Sequence, residues 1–311
     1  MAECVLLGDI GATNARFALA GKDVLGQVRS FEVAQFPQFR DALAVFLKEV
    51  RSPVTRAMIA VAGPIVGQHA KLTNQDWTID ADELQSSFGL QARIINDFRA
   101  VAFSLPLLKS EDLVSIGGGK IEEGAPKAVL GPGTGLGVAC LAKNSAEPVV
   151  ISSEGGHATL ASTCDREDRI IQYLRSKFGH ASAERAISGG GLENLYQAIA
   201  AVDGLTVDNQ SAAEITTHAL AGSSEIALEA LHTFCAFLGS FAGSLALTFG
   251  AKGGVYVAGG ISPRILNFLA KSEFRSRFES KGRFRSYLET IPSYVIVHPA
   301  AAFLGLQSLL N

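Results

Sequence analysis

Cysteine is scarce and scattered. The four in this 311-residue chain, Cys4, Cys140, Cys164 and Cys235, form no C-x-x-C pair and no Cys/His cluster. That excludes a disulfide framework and a zinc site and fits a reducing compartment. Charge of one sign is also lacking: 27 basic against 30 acidic residues leave a net charge of −3, so no basic field exists to hold a nucleic-acid backbone or an anionic lipid surface. Nucleic acid and membrane are therefore not expected as partners. The opening residues carry no basic segment ahead of an apolar core and reach Asp9 early, so no signal peptide is expected and the chain is placed in the cytoplasm. Residues 233–251, "TFCAFLGSFAGSLALTFGA", run uncharged for the length of a membrane span. Their small residues Gly239, Ser240, Gly243 and Ser244 are spaced for close packing, and Glu229 and His232 continue the pattern upstream, so the run reads as a buried core helix.

What is present is apolar residue in quantity, 48% of the chain, enough to bury one large core or two ordinary ones. Apolar periodicity set against turn residues predicts alternating strands and helices, an α/β protein. Strands are expected at 4–9, 15–20, 57–62, 92–96, 127–131, 136–142, 148–152, 254–258 and 294–298. Helices are expected at 38–50, 80–88, 97–105, 166–178, 183–187, 191–200, 211–221, 225–249, 263–270 and 300–310. The stretch 106–127, rich in Gly, Pro and charge, reads as a surface connection between two halves, with a domain boundary near its start.

Two stretches echo each other. "VLLGDIGATNARFALA" (5–20) and "AVLGPGTGLGVACLA" (128–142) are each strand, Gly/Thr turn, strand. A glycine-rich turn presents successive backbone N–H groups to phosphate oxygens. There is no G-x-x-x-x-G-K-[ST], and the glycines at 131, 133, 135 and 137 do not give G-x-G-x-x-G. Those loops open helices, whereas both turns here lead back into β-prone runs, so they read as phosphate-gripping hairpins. Taken singly, each reads first as a plain tight hairpin; two such turns, each with a Thr and one with a central Asp, favour the phosphate reading. Asp9 suits Mg²⁺, directly or through water, while Thr13 and Thr134 suit phosphate oxygens. A third turn, in "VYVAGGIS" (255–262 region), puts Gly259 and Gly260 at a strand end, where a nucleotide's sugar or base could lie.

Other polar residues suit a polyol. Asn96-Asp97 stand where a strand gives way to a helix. Asp97 is either an N-cap or a base that accepts a hydroxyl proton as that hydroxyl attacks a phosphoryl group. "SSEGGHATLA" sets Glu154 and His157 around a glycine pair that lets a polyol approach the backbone. No further ligands are spaced to make the Glu/His pair a metal site. Glu184, two residues after Ser182, is either a first-turn acid or a further sugar ligand. Arg185, Glu193 and Asn194 read as solvated or capping residues.

Seven segments together, "LLGDIGATNARFALA", "IINDFRAVAFSLP", "GPGTGLGVA", "SEGGHATLA", "GHASAERAISGGGLENLY", "GGVYVAGGISPR" and "KGRFRSYLETIPSYVIVHPAAAFLG", resemble the bacterial glucokinase family in order and across nearly the whole chain. The resemblance implies a two-domain actin-like ATPase/hexokinase (ribonuclease-H-like) fold with an interdomain cleft. It implies a small α/β domain at 1–107, rejoined by a C-terminal helix at 299–311, and a large α/β domain at 108–298. It implies ATP and Mg²⁺ as cofactors, glucose as substrate and a homodimer. By the same resemblance Asp97 is the catalytic base, and Asn96, Asp97, Glu154, His157 and Glu184 bind the sugar. Gly8, Asp9, Ile10, Gly11, Ala12 and Thr13 match one phosphate site, Gly133, Thr134 and Gly135 the other, with Gly259 and Gly260 on the nucleotide and Asp9 toward Mg²⁺. The family more often has Gly where Ala12 stands, so this turn must keep Ala12 out of φ > 0. Pro132 removes one N–H from the second turn. The reading is phosphorylation of glucose at its 6-hydroxyl, the first step of glycolysis. Its rivals are the same chemistry on another hexose or an N-acetyl amino sugar, an actin-like assembly ATPase, and a non-catalytic sugar sensor.

Overall fold

The computed structural model describes residues 4–21, 24–50, 53–72, 76–143 and 148–310; Asn311, the end of the expected C-terminal segment, lies outside them. The chain divides into two compact units, one of residues 1–109 with 298–311 and one of residues 110–297.

The first unit opens with β1 (Cys4–Ile10) and β2 (Asn14–Ala20), then β3 (Arg29–Glu32), α1 (Phe39–Glu49) and β4 (Val54–Val61). A small ribbon follows, β5 (Ile65–Val66), β6 (His69–Lys71) and β7 (Thr78–Asp80), then α2 (Ala81–Phe88), β8 (Gln91–Asn96) and α3 (Asp97–Ser104). The sheet order is β3-β2-β1-β4-β8, antiparallel through the first three strands and parallel from β1 to β4 to β8. Alternation along β1 sends Leu6 and Ile10 to one face, packed with Phe17, Phe39, Phe46 and Trp77. Val5 and Leu7 go to the other, as a period of two requires. Register decides what the sheet presents at one edge. Ile10 lies opposite Val61, and Val61 opposite Asn96. The end of β1 and the end of β8 are thus two strand spacings apart, about 10 Å.

The second unit contains β9 (Leu113–Ser115), β10 (Lys127–Pro132), β11 (Leu136–Lys143) and β12 (Pro148–Ser153), then α4 (Asp165–Phe178), α5 (Gly189–Val202), α6 (Ala212–Ala221) and α7 (Glu225–Phe249). It continues through β13 (Val255–Val257), α8 (Leu266–Leu269), α9 (Phe274–Glu279), α10 (Arg285–Glu289) and β14 (Ser293–Ile296). Its sheet order, β12-β11-β10-β13-β14-β9, repeats the first unit's scheme of an antiparallel meander continued by parallel strands. The echo between residues 5–20 and 128–142 is therefore β1–β2 and β10–β11 in equivalent places. α7 is long and apolar enough to cross a membrane by length and composition, but Phe234, Phe237, Leu238 and Ala242 lie in the core. Gly239 and Gly243 are needed there, since a Cβ on either would stand 2.1 or 2.3 Å from the carbonyl oxygens of Phe274 and Phe278.

Finally α11 (Ala301–Ser308) packs on α3 in the first unit, where Phe303 and Leu306 cover Val5, Leu7, Met58 and Ala60.

Three expectations change. The 106–127 stretch is not merely a surface connection: β9 closes the second sheet antiparallel to β14, and Gly118 sits where a Cβ would be 2.2 Å from Ile291 O. The helix expected at 263–270 shortens to α8, preceded by a turn in which Ile261 O accepts from Arg264 N–H at 3.0 Å and Ile265 N–H at 3.3 Å. The expected helix at 183–187 is one 3₁₀ turn, Ala183–Arg185, because the Ser188 hydroxyl caps the next helix by accepting from Gly191 N–H at 2.9 Å.

Candidate active site

In the first unit, β1 carries through to Ile10, so the turn proper is Gly11, Ala12 and Thr13, closed by Gly11 N–H donating to Asn14 O at 3.0 Å. Gly8 and Ile10 are buried strand residues, Gly8 against Ile59; Thr13 is exposed. Ala12 carries no strain, for among the described residues only glycines have positive φ.

Asp9 sits one residue before the strand's end, opposite Arg16 on β2. Burial holds its carboxyl above the usual carboxylate range, and the Arg16 guanidinium opposes this only partly. Their separation is 3.5 Å, with Arg16 far more exposed than Asp9. A half-compensated carboxylate beside a turn of backbone N–H groups has room for a cation's charge.

At the same sheet edge, Asn96 ends β8 and caps α3, its Oδ1 accepting from Arg99 N–H at 3.1 Å. The cap is therefore Asn96 and not Asp97, a division the sequence left open. Asp97 Oδ1 accepts from Phe98 N–H at 2.8 Å, which orients the carboxylate at the helix entrance.

The second unit gathers the rest. Its turn is Gly133–Gly135, with Gly133 N–H donating to Gly135 O and Gly189 N–H to Gly133 O, both at 2.8 Å. Thr134 is exposed and a Cβ on Gly133 would meet nothing within 4 Å. Pro132 pairs with Leu136 as the last rung of the hairpin, and its carbonyl stands where a Cβ on Gly259 (φ +84°) would be 2.3 Å away. Parallel pairing of β10 with β13 thus sets the Gly259–Gly260 turn beside the hairpin, with Gly260 open.

Glu154 precedes a 3₁₀ turn, Gly155–His157. Gly156 packs so closely on Leu136 that a Cβ would be 2.1 Å from its carbonyl oxygen. The turn bearing Glu184 is fastened to this one by Ala183 N–H donating to Ala158 O at 2.9 Å. Glu184 Oε1 lies 3.9 Å from His157 Nδ1, and its Oε2 accepts from Leu136 N–H at 2.9 Å. Glu154 and His157 are exposed and Glu184 partly so. Of the neighbours read as solvated or capping, Glu193 caps α6 by accepting from Ala212 N–H at 3.0 Å, and Arg185 stacks on Phe178.

Sequence reasoning missed Arg16, the Gly189 N–H that closes over the second turn, and the Leu136 N–H held by Glu184. Only the Ser188-Gly-Gly-Gly run signalled the second of these, as a cap followed by residues without side chains.

A solved glucokinase from an Antarctic psychrotroph matches with a TM-score of 0.85 at 38% identity, covering 100% of this chain and 99% of that one. A glucokinase from Balamuthia mandrillaris in complex with glucose shares the fold at a TM-score of 0.82 and 21% identity, over 99% and 93% of the two chains. The fold is that of the actin-like ATPases and hexokinases, and its class is the sugar kinases. The family model described as Glucokinase matches residues 6–311. A glucokinase from Paramagnetospirillum magneticum is 45% identical over 100% of this chain and 98% of its own length. One from Nitrobacter hamburgensis is 41% identical over 98% and 96%. The chain belongs to the glucokinase family.

Proposed function

We propose that the chain transfers the γ-phosphoryl group of ATP to the 6-hydroxyl of glucose, giving glucose 6-phosphate and ADP, with Asp97 as the base. The hydroxyl oxygen forms the new bond to phosphorus, the bond to the β–γ bridging oxygen breaks, and the hydroxyl proton passes to the Asp97 carboxylate. The observation that carries this is the division of labour at the β8–α3 junction. Asn96 caps the helix end, Phe98 N–H orients the Asp97 carboxylate there, and register sets Asp97 on the same sheet edge as the Gly11–Thr13 turn.

Asn96, Glu154, His157 and Glu184 hold the sugar hydroxyls, a polar set that rejects analogues leaving its groups unpaired. The two hairpin turns take phosphate oxygens on their backbone N–H groups, and the Gly259–Gly260 turn, open at Gly260, takes the rest of the nucleotide. Among the described residues no group of three or more His, Cys, Asp or Glu could hold a metal ion. Asp9 is the carboxylate that would hold Mg²⁺, directly or through water. When bound, the ion offsets charge on the transferring phosphates. The two-domain division near residue 107, the cytoplasm and a homodimer complete the proposal, and light scattering of the purified protein tests the dimer.

The test is ADP release from Mg·ATP with and without glucose, with direct detection of glucose 6-phosphate and a panel of mannose, fructose and N-acetyl amino sugars. ADP formed only with glucose, and equal to phosphosugar, supports the proposal. ADP formed without sugar returns the chain to an assembly ATPase, and glucose binding without ADP to a sensor.

A further inference from the structure

Glu184 makes two contacts that belong to different substrates. Its Oε1 faces His157, one of the residues assigned to the sugar, while its Oε2 holds Leu136 N–H, the first backbone donor beyond the second phosphate turn. The same oxygen fills the space over the turn: a Cβ on Gly135 would be only 2.6 Å from it. The backbone that bears this side chain is held from behind, since Ser188 Oγ donates to Glu184 O at 2.8 Å and Gly191 packs where a Cβ would lie 2.9 Å from that oxygen.

We propose that Glu184 is a positioning residue for the nucleotide's phosphate hairpin as well as a sugar ligand, so that sugar occupancy and phosphate binding are coupled through one carboxylate. This rests on the sugar reading of Glu184 above. A hydroxyl donating to Oε1 fixes the carboxylate plane, and that plane sets the direction in which Leu136 N–H and the Gly133–Gly135 turn are held. The coupling is reciprocal, as thermodynamic linkage demands.

Three variants separate the roles. Glu184→Ala leaves Leu136 N–H without its acceptor and removes the sugar contact, so KM should rise at least about fivefold for both ATP and glucose. Glu184→Gln keeps an amide oxygen for Leu136 N–H but loses the anionic acceptor, so the ATP KM should return to within about twofold of the parent while the glucose KM stays high. Gly135→Ala, which leaves Glu184 in the chain, should push Oε2 away and raise the glucose KM although residue 135 is not a sugar ligand; this variant also serves if Glu184→Ala does not fold. A rise in the glucose KM alone for Glu184→Ala overturns the hairpin role and leaves the sugar reading standing. A rise in the ATP KM alone overturns the sugar reading and with it the coupling. Equal rises in both for Glu184→Gln overturn the acceptor-based mechanism.

Discussion

Replacing Gly305 by alanine tests whether α3 is held in place by α11. A Cβ at residue 305 would lie 1.8 Å from Ala100 O, 2.8 Å from Ala100 C and 3.0 Å from Ser104 N. All three are backbone atoms of α3 or its end, so no rotamer change relieves the clash and the helices must part by about 1.5 Å to regain ordinary contact. Overpacking of this kind costs about 1–3 kcal/mol, and the opposing gain from Ala over Gly in a helix is at most about 1 kcal/mol. With rigid backbone at 1.8 Å the cost lies at the upper end of that range, about 3 kcal/mol, and sterics win by about 2 kcal/mol. The net loss should lower the melting temperature of the first unit by roughly 4–10 °C, read by differential scanning calorimetry. Glucose turnover should fall with it, because α3 begins at Asp97. Gly190→Ala in α5 is the control, since a Cβ there meets nothing within 4 Å and should be neutral or stabilising. A melting temperature for Gly305→Ala within about 1 °C of the parent would refute the packing argument.

Asp97→Ala should reduce kcat by at least ~10²-fold with the thermal transition unchanged; near-normal turnover removes Asp97 from its role. Glu154→Ala should raise the glucose KM more than the ATP KM, and an equal rise in both would mark a folding role instead. Asp9 carries a raised carboxyl pKa through burial, so the folded state keeps its proton where the unfolded chain has lost it. Its contribution to stability then falls as pH climbs from the unfolded to the folded pKa, and the penalty persists above both. Asp9→Asn should thus gain melting temperature over the parent as pH rises from about 4 to about 8 while losing activity; a constant or negative difference sinks the idea. Burial lifts the Cys140 thiol to about 11 and Cys235 to about 12, so a thiol reagent at neutral pH should modify exposed Cys164 first, and rapid loss of all four thiols in the native protein would contradict this.

The hairpins were legible because apolar runs flanking Gly/Thr turns leave few alternatives, and Asn96-Asp97 because a strand run meets a helical period there. The ribbon β5–β7 was not: strands of two or three residues around Gly67 are too short to show a period of two. β9 was hidden by the glycines beside it, whose use is tight passage under residues 290–292. At the site, residue types were readable but their partners were not. Nothing local to Glu184 announces a bond to an N–H 48 residues away, and nothing in Asn96-Asp97 says which of the two spends its oxygen on the cap.

The late arrival of α11 has a consequence for synthesis. The second unit is one continuous stretch, whereas the first is assembled from both ends of the chain. Val5, Leu7, Met58 and Ala60 wait for Phe303 and Leu306. At about 5–20 residues per second, the ribosome needs roughly 10–40 s to pass from residue 109 to residue 303. During that interval the older half of the nascent chain shows an apolar sheet face that α11 does not yet cover. The first unit is therefore first to be made and last to be finished, and that open face is where a holding chaperone would find it.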